Sequence, residues 1–245
     1  MAKNRSLNVV LPVYNEESEL EDSVSRLKAY LKTLPKKYLW KITIVDNASD
    51  DDTMNIALGI AKKDKRIIAL HLDQKGRGRA VKHAWTTSSD EILAYMDIDL
   101  STDLTHFEAL LHSLEHGYDI AIGSRNLSNS RVSKRHWLRT ITSKGYIFLI
   151  KMFFFVHFSD AQCGFKVVSR KVVTSLLPLV SDNEWFFDTE LLILAEKLGY
   201  KIYEEPVTWV DNPGSTVRVM KTATGDLEGL WRLFIHRPWR TYERA

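Results

Sequence analysis

The first half of the chain alternates short apolar runs with amphipathic segments. The first apolar run, Leu7 to Leu11, is followed by a segment of helical period from about Glu16 to Leu34. Such a run predicts a buried strand, and the segment after it predicts a helix that covers a sheet. The further predicted strands are Ile42 to Val45, Ile67 to Leu72, Ile92 to Met96 and Tyr118 to Ile122, and the further predicted helices are Thr53 to Lys63, Arg79 to Ser88 and Leu104 to Glu115. This alternation predicts an α/β fold whose mostly parallel sheet is flanked by helices.

Polar clusters follow the first four predicted strands, each where its strand ends. The clusters are Asn15-Glu16, Asp46 to Ser49, Lys75 to Gly78, and the pair Asp97 and Asp99. Ligands of parallel sheets bind outside the carboxyl ends of the strands. The sequence therefore predicts one site at this edge of the sheet.

Asp97 and Asp99 directly follow the apolar run that ends at Met96. Residues two apart in an extended chain point to the same side, so both carboxylates are expected at one spot. Such a pair suits Mg²⁺ or Mn²⁺, which takes oxygen ligands and is often completed by substrate phosphates. The other interpretation is that acids after a strand cap the next helix. The pair alone leaves both interpretations open.

Composition narrows the class of protein and its setting. The chain has 245 residues with 44% apolar content, enough for a sizeable core, and a net charge of only +3. That balance argues against a polycationic surface for nucleic acid. A single cysteine, Cys163, and an N-terminus without an apolar signal region predict a cytoplasmic setting. With no linker or repeat, we expect one domain over residues 1–220 and a C-terminal amphipathic helix over 221–245, as part of it or as an appendage.

Two segments in the second half combine aromatic and basic residues. Tyr146 to Phe158 is an apolar run of 13 residues interrupted by Lys151, short of the roughly 20 needed to span a bilayer. It is either a core helix or a helix on a membrane surface or acceptor groove. Leu227 to Arg240 interleaves leucine, phenylalanine and tryptophan with arginine. That mixture suits a lipid headgroup interface or packing against the domain.

Several side chains at the predicted edge suit a nucleotide. Tyr14 can stack on a base, and Glu16 and Asp46 can accept hydrogen bonds from a base or ribose, although the segment after Asp46 could equally form a turn that caps the next helix. Lys75 and Gly76 bring a cation and an open backbone, as a diphosphate requires. The same segment partly matches the dinucleotide-binding fingerprint, but Val81 stands at its third glycine. That interpretation leaves Asp46, Asp99 and the Tyr14 segment without roles.

Six motifs carry a family resemblance. In chain order they are Pro12-x-Tyr14-Asn15-Glu16, Asp46-x-x-Ser49-x-Asp51-x-Thr53, Lys75-Gly76-x-Gly78-x-Ala80, Asp97-x-Asp99, Gly123-Ser124-Arg125 and Gln162-Cys163-Gly164-Phe165-Lys166. Together they resemble family 2 glycosyltransferases of the GT-A fold, within them the dolichyl/polyprenyl-phosphate sugar transferases. Residues 160–166 and 185–192 look closer to the dolichyl-phosphate β-glucosyltransferase branch than to the mannosyl branch. The resemblance implies a mostly parallel Rossmann-like sheet with C-terminal amphipathic helices.

The resemblance implies a metal-dependent, inverting transfer of a hexose from a nucleotide sugar to a polyprenyl phosphate. UDP-glucose is the favoured donor and GDP-mannose the alternative, and the enzyme is expected at the cytoplasmic face of a membrane. The implied catalytic residues are Asp99, Arg125, Arg139, Asp160 and Asp188, and the implied metal ligands for Mg²⁺ or Mn²⁺ are Asp97 and Asp99. The implied nucleotide-sugar residues are Pro12, Tyr14, Glu16, Asp46, Lys75, Gly76 and Asp97. The implied acceptor residues are Arg125, Arg139, Gln162 and Lys166.

Alternatives remain open at this point. An acceptor hydroxyl on a glycan or small molecule would need a carboxylate base, a role that Asp188 could fill unless it caps the helix from Glu190 to Lys197. Arg139 is either an acceptor ligand or a surface charge that is solvated or contacts a lipid headgroup. A nucleotide-sugar or membrane-surface binding module without catalysis is the non-enzymatic alternative. The eight histidines lack metal-ligand spacing and are assigned no site.

Overall fold

The structure, a computed structural model, describes residues 4–133, 137–210 and 219–240, without the side chains of residues 138, 139 and 219–223. It contains a large mixed sheet, a small two-stranded sheet and flanking helices. The strands are β1 (Arg5–Val13), β2 (Tyr38–Asn47), β3 (Ile67–Leu72), β4 (Ile92–Met96), β5 (Ile120–Ser124), β6 (Arg131–Ser133), β7 (Phe165–Ser169), β8 (Ile202–Pro206) and β9 (Thr208–Val210). The helices are α1 (Leu20–Leu31), α2 (Thr53–Lys63), α3 (Arg77–Thr87), α4 (Phe107–Glu115), α5 (Trp137–Phe154), α6 (Phe187–Lys197) and α7 (Val219–His236).

The large sheet has the strand order β3-β2-β1-β4-β7-β5-β8. Strands β1 to β4 are parallel, as predicted, so their carboxyl ends lie at one edge. Strand β5 runs in the same direction as β1 to β4 but is not a neighbour of β4, because β7 lies between β4 and β5 and is antiparallel to both. The chain returns through α5 before it enters the sheet at β7, which brings residues 160–164 to the edge where β4 ends.

The core has two parts, one on each face of the large sheet. Period-two alternation along β1 sends Leu7, Val9 and Leu11 into one cluster and Val10 into the other. The first cluster also holds the apolar faces of α1 and α4, and the second holds those of α3 and α6. A three-layer α/β architecture results, as the alternation of elements predicted.

Several predicted boundaries agree with the structure, and others shift by a few residues. Helix α2 and strands β3 and β4 have the predicted bounds. Helix α1 begins at Leu20 rather than at Glu16. The backbone N–H groups of Glu16 and Glu17 donate to the side chains of Thr53 and Asp51, and residues 17–19 form a turn that leads into the helix.

Helices α5 and α7 are partly in the core and partly exposed. Ile150 and Phe154 of α5 and Leu230 and Leu233 of α7 are buried in the cluster that contains α6. The predicted boundary between residues 220 and 221 falls inside α7. None of the described helices is long and apolar enough to cross a bilayer.

Candidate active site

Asp97 and Asp99 line one cavity at the carboxyl end of β4, as the sequence predicted. Ser101, Gly164 and Trp209 line the same cavity. The Asp99 carboxylate accepts hydrogen bonds from the Ser101 backbone N–H at 3.0 Å and from its hydroxyl at 2.6 Å. Both bonds come from a residue only two positions further along the chain.

Left-handed backbone conformations concentrate at this edge. Asn15, Ala48 and Leu100 have φ values of 55°, 59° and 46°, and they follow β1, β2 and β4 respectively. Non-glycine residues adopt this conformation at a cost in free energy, and such residues cluster at functional sites. Three of them at the ends of three adjacent strands therefore mark this edge as the functional one.

Arg77, the first residue of α3, joins Asp97 to the interior. Its guanidinium contacts Asp97 and pairs with the Asp188 carboxylate at 2.7 Å. The Asp97 side chain is 42% exposed, whereas that of Asp188 is 1% exposed. Arg77 thus bridges the carboxylate that lines the cavity and a second one beneath it.

Asp188 lies in a buried network that replaces the predicted helix cap. The residue is in the first turn of α6, but its carboxylate accepts from the Tyr95 hydroxyl and pairs with Arg77 and with Lys166 Nζ, the last at 3.0 Å. A carboxylate bonded to three side chains at this depth has little capacity left to accept a proton from an acceptor.

Lys166 is fully buried in β7 rather than at the cavity surface. Its ammonium group donates to the Cys163 carbonyl at 2.7 Å and lies 3.3 Å from the Tyr95 hydroxyl. These bonds hold the segment before β7 against Asp188. Direct contact between Lys166 and an acceptor would require this segment to move.

Arg125 and Asp160 form a bidentate pair next to the cavity. Arg125 Nε and Nη2 lie 2.7 and 2.9 Å from the two Asp160 oxygens, and the Arg125 guanidinium lies 5.5 Å from the Trp209 ring centroid. Burial alone would raise the pKa of Asp160, but the Arg125 guanidinium outweighs it and holds that pKa below its usual value. The pair fixes the backbone at Asp160, and Gln162 N–H donates to the same carboxylate at 3.2 Å.

The residues after β1 and β2 hold each other through side chain to backbone bonds. Asn15 N–H donates to the Ser49 hydroxyl at 3.0 Å, and Glu16 N–H donates to the Thr53 hydroxyl at 2.8 Å. Asp51 also accepts from Thr53 N–H at 3.0 Å, so the turn that was the simpler interpretation of this segment is present too. The spaced serine, aspartate and threonine thus position the chain from Asn15 to Glu17.

Burial raises the pKa of Glu16 to about 7, and neighbouring carboxylates add to the rise, those of Glu19, Asp99 and Asp51 first. Negative charge between the end of β1 and the cavity therefore opposes the ionisation of Glu16. A bound cation would relieve this repulsion.

The other predicted nucleotide residues lie on the β1 to β3 side of the edge. Lys75 Nζ contacts the Tyr14 hydroxyl and lies 4.0 Å from its ring centroid. Asp46 is fully buried, and its carboxylate lies 2.6 Å from His71 Nδ1. Pro12 lies beyond the last residue pair of β1 and β4, Val10 with Tyr95, so it interrupts none of those pairs.

Gly76 and Gly78 serve close packing. A Cβ at Gly76 would lie 2.5 Å from the Asn183 carbonyl oxygen, and one at Gly78 would lie 2.5 Å from Phe187 Cβ. Gly78 N–H also donates to the Glu184 carbonyl at 3.2 Å. These glycines let α3 approach the segment before α6, which brings Arg77 within reach of Asp188.

Some residues of the site were not predicted, and others lie outside the description. Three residues that contact predicted site residues were not predicted: Arg77, Tyr95 and His71. The sequence around Tyr95 indicates only a core residue of a strand, and His71 has no motif around it. The Arg139 side chain lies outside the described part of the chain. Within the described ranges, no group of three or more histidine, cysteine, aspartate or glutamate side chains could hold a metal ion by itself.

Comparison with known proteins agrees with this architecture. Residues 8–177 match the family model described as glycosyl transferase family 2. The chain is 35% identical over 221 residues to glycosyltransferase AglD of Haloferax volcanii, covering 89% of this chain and 35% of the relative. It is 30% identical over 250 residues to the dolichyl-phosphate beta-glucosyltransferase of Drosophila melanogaster, covering 96% of this chain and 77% of the relative. The chain therefore spans about a third of the first relative and about three quarters of the second.

A solved structure of similar fold is glucosyl-3-phosphoglycerate synthase from Mycobacterium tuberculosis, in complex with Mn²⁺, UDP and glucosyl-3-phosphoglycerate. It matches with a TM-score of 0.68 at 17% identity, covering 93% of this chain and 79% of that one. This likeness confirms the predicted GT-A fold. With the family match over most of its length and the relatives above, the chain belongs to glycosyl transferase family 2.

Proposed function

We propose that this protein transfers a hexose, with glucose as the first choice, from a nucleotide sugar to a polyprenyl phosphate. The relatives named dolichyl-phosphate beta-glucosyltransferase support glucose and this acceptor class. UDP-glucose is the favoured donor, and GDP-mannose is the alternative. The observation that carries the proposal is the placement of Asp97 and Asp99 in one cavity at the carboxyl end of β4.

The donor set of this cavity fits Mg²⁺ or Mn²⁺. Mg²⁺ usually takes one or two protein carboxylates and completes its shell with substrate phosphates and water, so it needs no cage of three protein ligands. Asp99 would hold the ion, and Asp97 would reach the ion or the ribose. When bound, the metal supplies Lewis acid chemistry that neutralises the diphosphate leaving group.

The nucleotide would lie over the ends of β1 to β3. Tyr14 offers a ring for the base, Lys75 a cation for the diphosphate, and Glu16 and Asp46 acceptors for base or ribose hydrogens. Gly76 and Pro12 shape the backbone around them. Asp46 is fully buried and its two oxygens are engaged by Ser49 and His71, so it would contact a nucleotide only after a rearrangement of that loop.

The acceptor phosphate needs positioning rather than activation. A phosphate oxygen is already anionic at neutral pH and can attack the anomeric carbon as the bond to UDP breaks, which inverts the configuration there. Arg125, Arg139, Gln162 and Lys166 are the proposed groups that hold this anion or the segment around it, with Asp160 orienting Arg125. The commitment of Asp188 to Arg77, Tyr95 and Lys166 supports a phosphate over a hydroxyl acceptor, since a hydroxyl would need a base.

An apolar outer face supports action at a membrane surface. We define this face as the exposed side chains of Phe148, Met152, Phe153, Phe155, Leu227, Trp231 and Ile235, which are 47–78% exposed. It is continuous between α5 and α7, because Phe153 and Trp231 both pack against Phe234. Arg237 and Arg240, which follow α7, add positive charge that anionic headgroups attract. The lone cysteine, a free buried thiol, is in keeping with the cytoplasmic side.

The test is an assay with radiolabelled UDP-glucose, Mn²⁺ and a short-chain polyprenyl phosphate. We expect label in the lipid product, and we expect Asp99→Ala to abolish transfer while the circular dichroism spectrum stays unchanged. Asp22→Ala, which removes an exposed carboxylate of α1, is the matched control and should keep full activity. Near-normal turnover of Asp99→Ala would remove the metal proposal.

Other outcomes of the same assay separate the alternatives. Transfer only to a sugar hydroxyl would replace the lipid acceptor, and binding of UDP-glucose without turnover would leave a binding module. Arg139→Ala should raise the KM for the lipid acceptor more than the KM for UDP-glucose. The reverse pattern would remove Arg139 from the acceptor site.

A further inference from the structure

Helix α7 reaches the acceptor side of the site through a hydrogen bond between Gln162 and Asp226. Gln162 Nε2 donates to Asp226 Oδ2 at 2.8 Å, and Asp226 is 6% exposed. Asp226 lies outside residues 8–177, the segment that matches the family model. A residue of the C-terminal helix is therefore built into the site although the family match ends before it.

The segment from Asp160 to Gly164, here called the acceptor loop, is held at each of its other positions by a core element. Asp160 pairs with Arg125, the carbonyls of Ala161 and Cys163 accept from Lys166 Nζ, and the Gly164 carbonyl accepts from Asp97 N–H at 3.0 Å. The Gln162 side chain is the remaining attachment, and it goes to α7. Asp226 thus completes the set of bonds that fixes this loop beside Asp97.

Helix α7 packs closely enough against α6 and the residue before it to fix the position of Asp226. Gly229 packs against the face of Phe186, where a methyl group would overlap the ring. One turn further along, Arg232 pairs with the buried Glu190 carboxylate at 3.2 Å. Leu230 and Leu233 are buried beside these contacts. The helix is therefore anchored within about two turns of Asp226, on the C-terminal side of its polar contact with the acceptor loop.

Asp226 is an unusual residue to bury for packing alone. Among the described residues, its Oδ1 atom has no hydrogen-bond partner, although the atom is shielded from solvent. A buried carboxylate with one unbonded oxygen costs free energy, so a leucine or alanine would pack there at lower cost. An apolar residue at this position could not accept the hydrogen bond from Gln162.

We propose that Asp226 is a positioning residue for the acceptor: it holds Gln162, and with it the acceptor loop, where the phosphate of the acceptor meets the donor. The part that concerns the acceptor rests on the proposed function. The part that concerns the loop does not, and it is tested separately.

Hydrogen exchange of the acceptor loop tests the structural part without any substrate. Asp226→Ala should speed exchange in peptides covering residues 160–166 by about tenfold or more, since an attachment worth about 1.4 kcal/mol changes the opening equilibrium tenfold. Asp226→Asn keeps an oxygen that can accept from Gln162 and should exchange like the wild type. Glu228→Ala, on the exposed side of the same helix, is the matched control and should also leave exchange unchanged. Wild-type exchange in Asp226→Ala would overturn the proposal.

Steady-state kinetics test the functional part. Asp226→Ala should raise the KM for polyprenyl phosphate at least fivefold while the KM for UDP-glucose stays within twofold, and Asp226→Asn should restore the wild-type value. Gln162→Ala should have the same effect, and the double variant should be no worse than either single one. A lower kcat with both KM values unchanged would indicate a merely structural role and refute the assignment. If the wild type transfers no sugar at all, the proposed function fails, and the exchange result still decides the role of Asp226 in the loop.

Discussion

The Asp97 carboxylate occupies the space that a side chain at Gly164 would fill. A methyl group added to Gly164 would overlap the Asp97 carboxyl atoms, and the Asp97 N–H also donates to the Gly164 carbonyl at 3.0 Å. The glycine of the Gln162-Cys163-Gly164 motif is thus required by its contact with the predicted metal ligand. Asp97 and Gly164 are 67 residues apart in the sequence, and the motifs that contain them form one structural unit.

Gly164→Ala should therefore reduce transfer by about 100-fold, because a displacement of about 1 Å at a reacting centre costs that much. Asp97 has to move, and its contact with Arg77 limits where it can go. Gly59→Ala is the matched control: the position is in α2, a Cβ there meets nothing within 4 Å, and helix propensity favours alanine. Initial rates with UDP-glucose and polyprenyl phosphate measure both variants. Full activity of Gly164→Ala would mean that Asp97 is not needed where it lies.

The bridge from Arg77 to Asp97 and Asp188 should contribute strongly to stability. Removing one partner of a buried ion pair leaves a charge without its counter-ion, at a typical cost of 3–5 kcal/mol. Because Lys166 still pairs with Asp188, we expect Arg77→Met to lower the free energy of unfolding by about 3 kcal/mol. Urea denaturation measures the change.

A double-mutant cycle with Asp188→Asn tests whether that cost comes from the pair. The double variant should lose less than the two single variants added together, with a coupling free energy of about 1–3 kcal/mol. The exposed pair of Arg26 and Asp22 in α1, 3.9 Å apart, is the control, and Arg26→Met should cost less than about 0.5 kcal/mol. Strictly additive losses at Arg77 and Asp188 would show that the bridge contributes nothing of its own.

The sequence predicted the parallel half of the sheet because each strand there is encoded locally. Apolar runs such as Ile92 to Met96 are long enough to identify a strand, and the helices between them require parallel neighbours. The antiparallel position of β7 depends instead on the path of α5 across the molecule, which no local pattern reveals. The partners of Phe165–Ser169, β4 and β5, are settled only by tertiary packing.

The residues of the site divide in the same way, into those that a local pattern predicts and those that only tertiary packing places. Asp97 and Asp99 could be predicted because a strand end followed by spaced carboxylates has a direct geometric consequence. Arg77 could not be distinguished from Arg79, two residues later in the same glycine-rich segment. Only the packing of Gly78 against Phe187 places Arg77 inside, whereas the Arg79 guanidinium contacts the Lys75 carbonyl at the exposed edge. Contacts between distant segments therefore determine that Arg77, and not Arg79, joins the buried network around Asp188.

The apolar outer face should bind phospholipid vesicles. Trp231 is 66% exposed in the middle of this face, and burying a side chain of its size in a bilayer interface contributes roughly 1.5–3 kcal/mol. Trp231→Glu should therefore lower the partition coefficient to vesicles containing phosphatidylserine by about tenfold or more. Leu58→Glu, at a 50% exposed leucine of α2 on the other face of the sheet, introduces the same charge and is the control. Flotation assays measure both, and equal losses in the two variants would remove the outer face as the binding surface.

The buried carboxyl of Asp226 should make folding stability depend on pH. Burial raises the pKa of Asp226 from 3.8 to about 6; Gln162 opposes the rise, and the carboxylates of Asp182 and Asp188 add to it. Between about pH 4 and pH 6 the native protein thus keeps a proton that the unfolded chain releases, so the native state binds more protons. Stability contributed by the protonated form is present below pH 4 and is lost as the pH rises through 6.

Asp226→Asn should remove that loss, because the amide stays neutral and can still accept from Gln162. At pH 8 the variant should be more stable than the wild type by up to about 3 kcal/mol, and the difference should vanish near pH 4. Asp22→Asn, at an exposed position of α1, should follow the wild type across the whole range. Thermal or urea unfolding from pH 4 to pH 8 measures the three proteins. A stability difference that is the same at pH 4 and pH 8 would show that the native protein does not raise the pKa of Asp226.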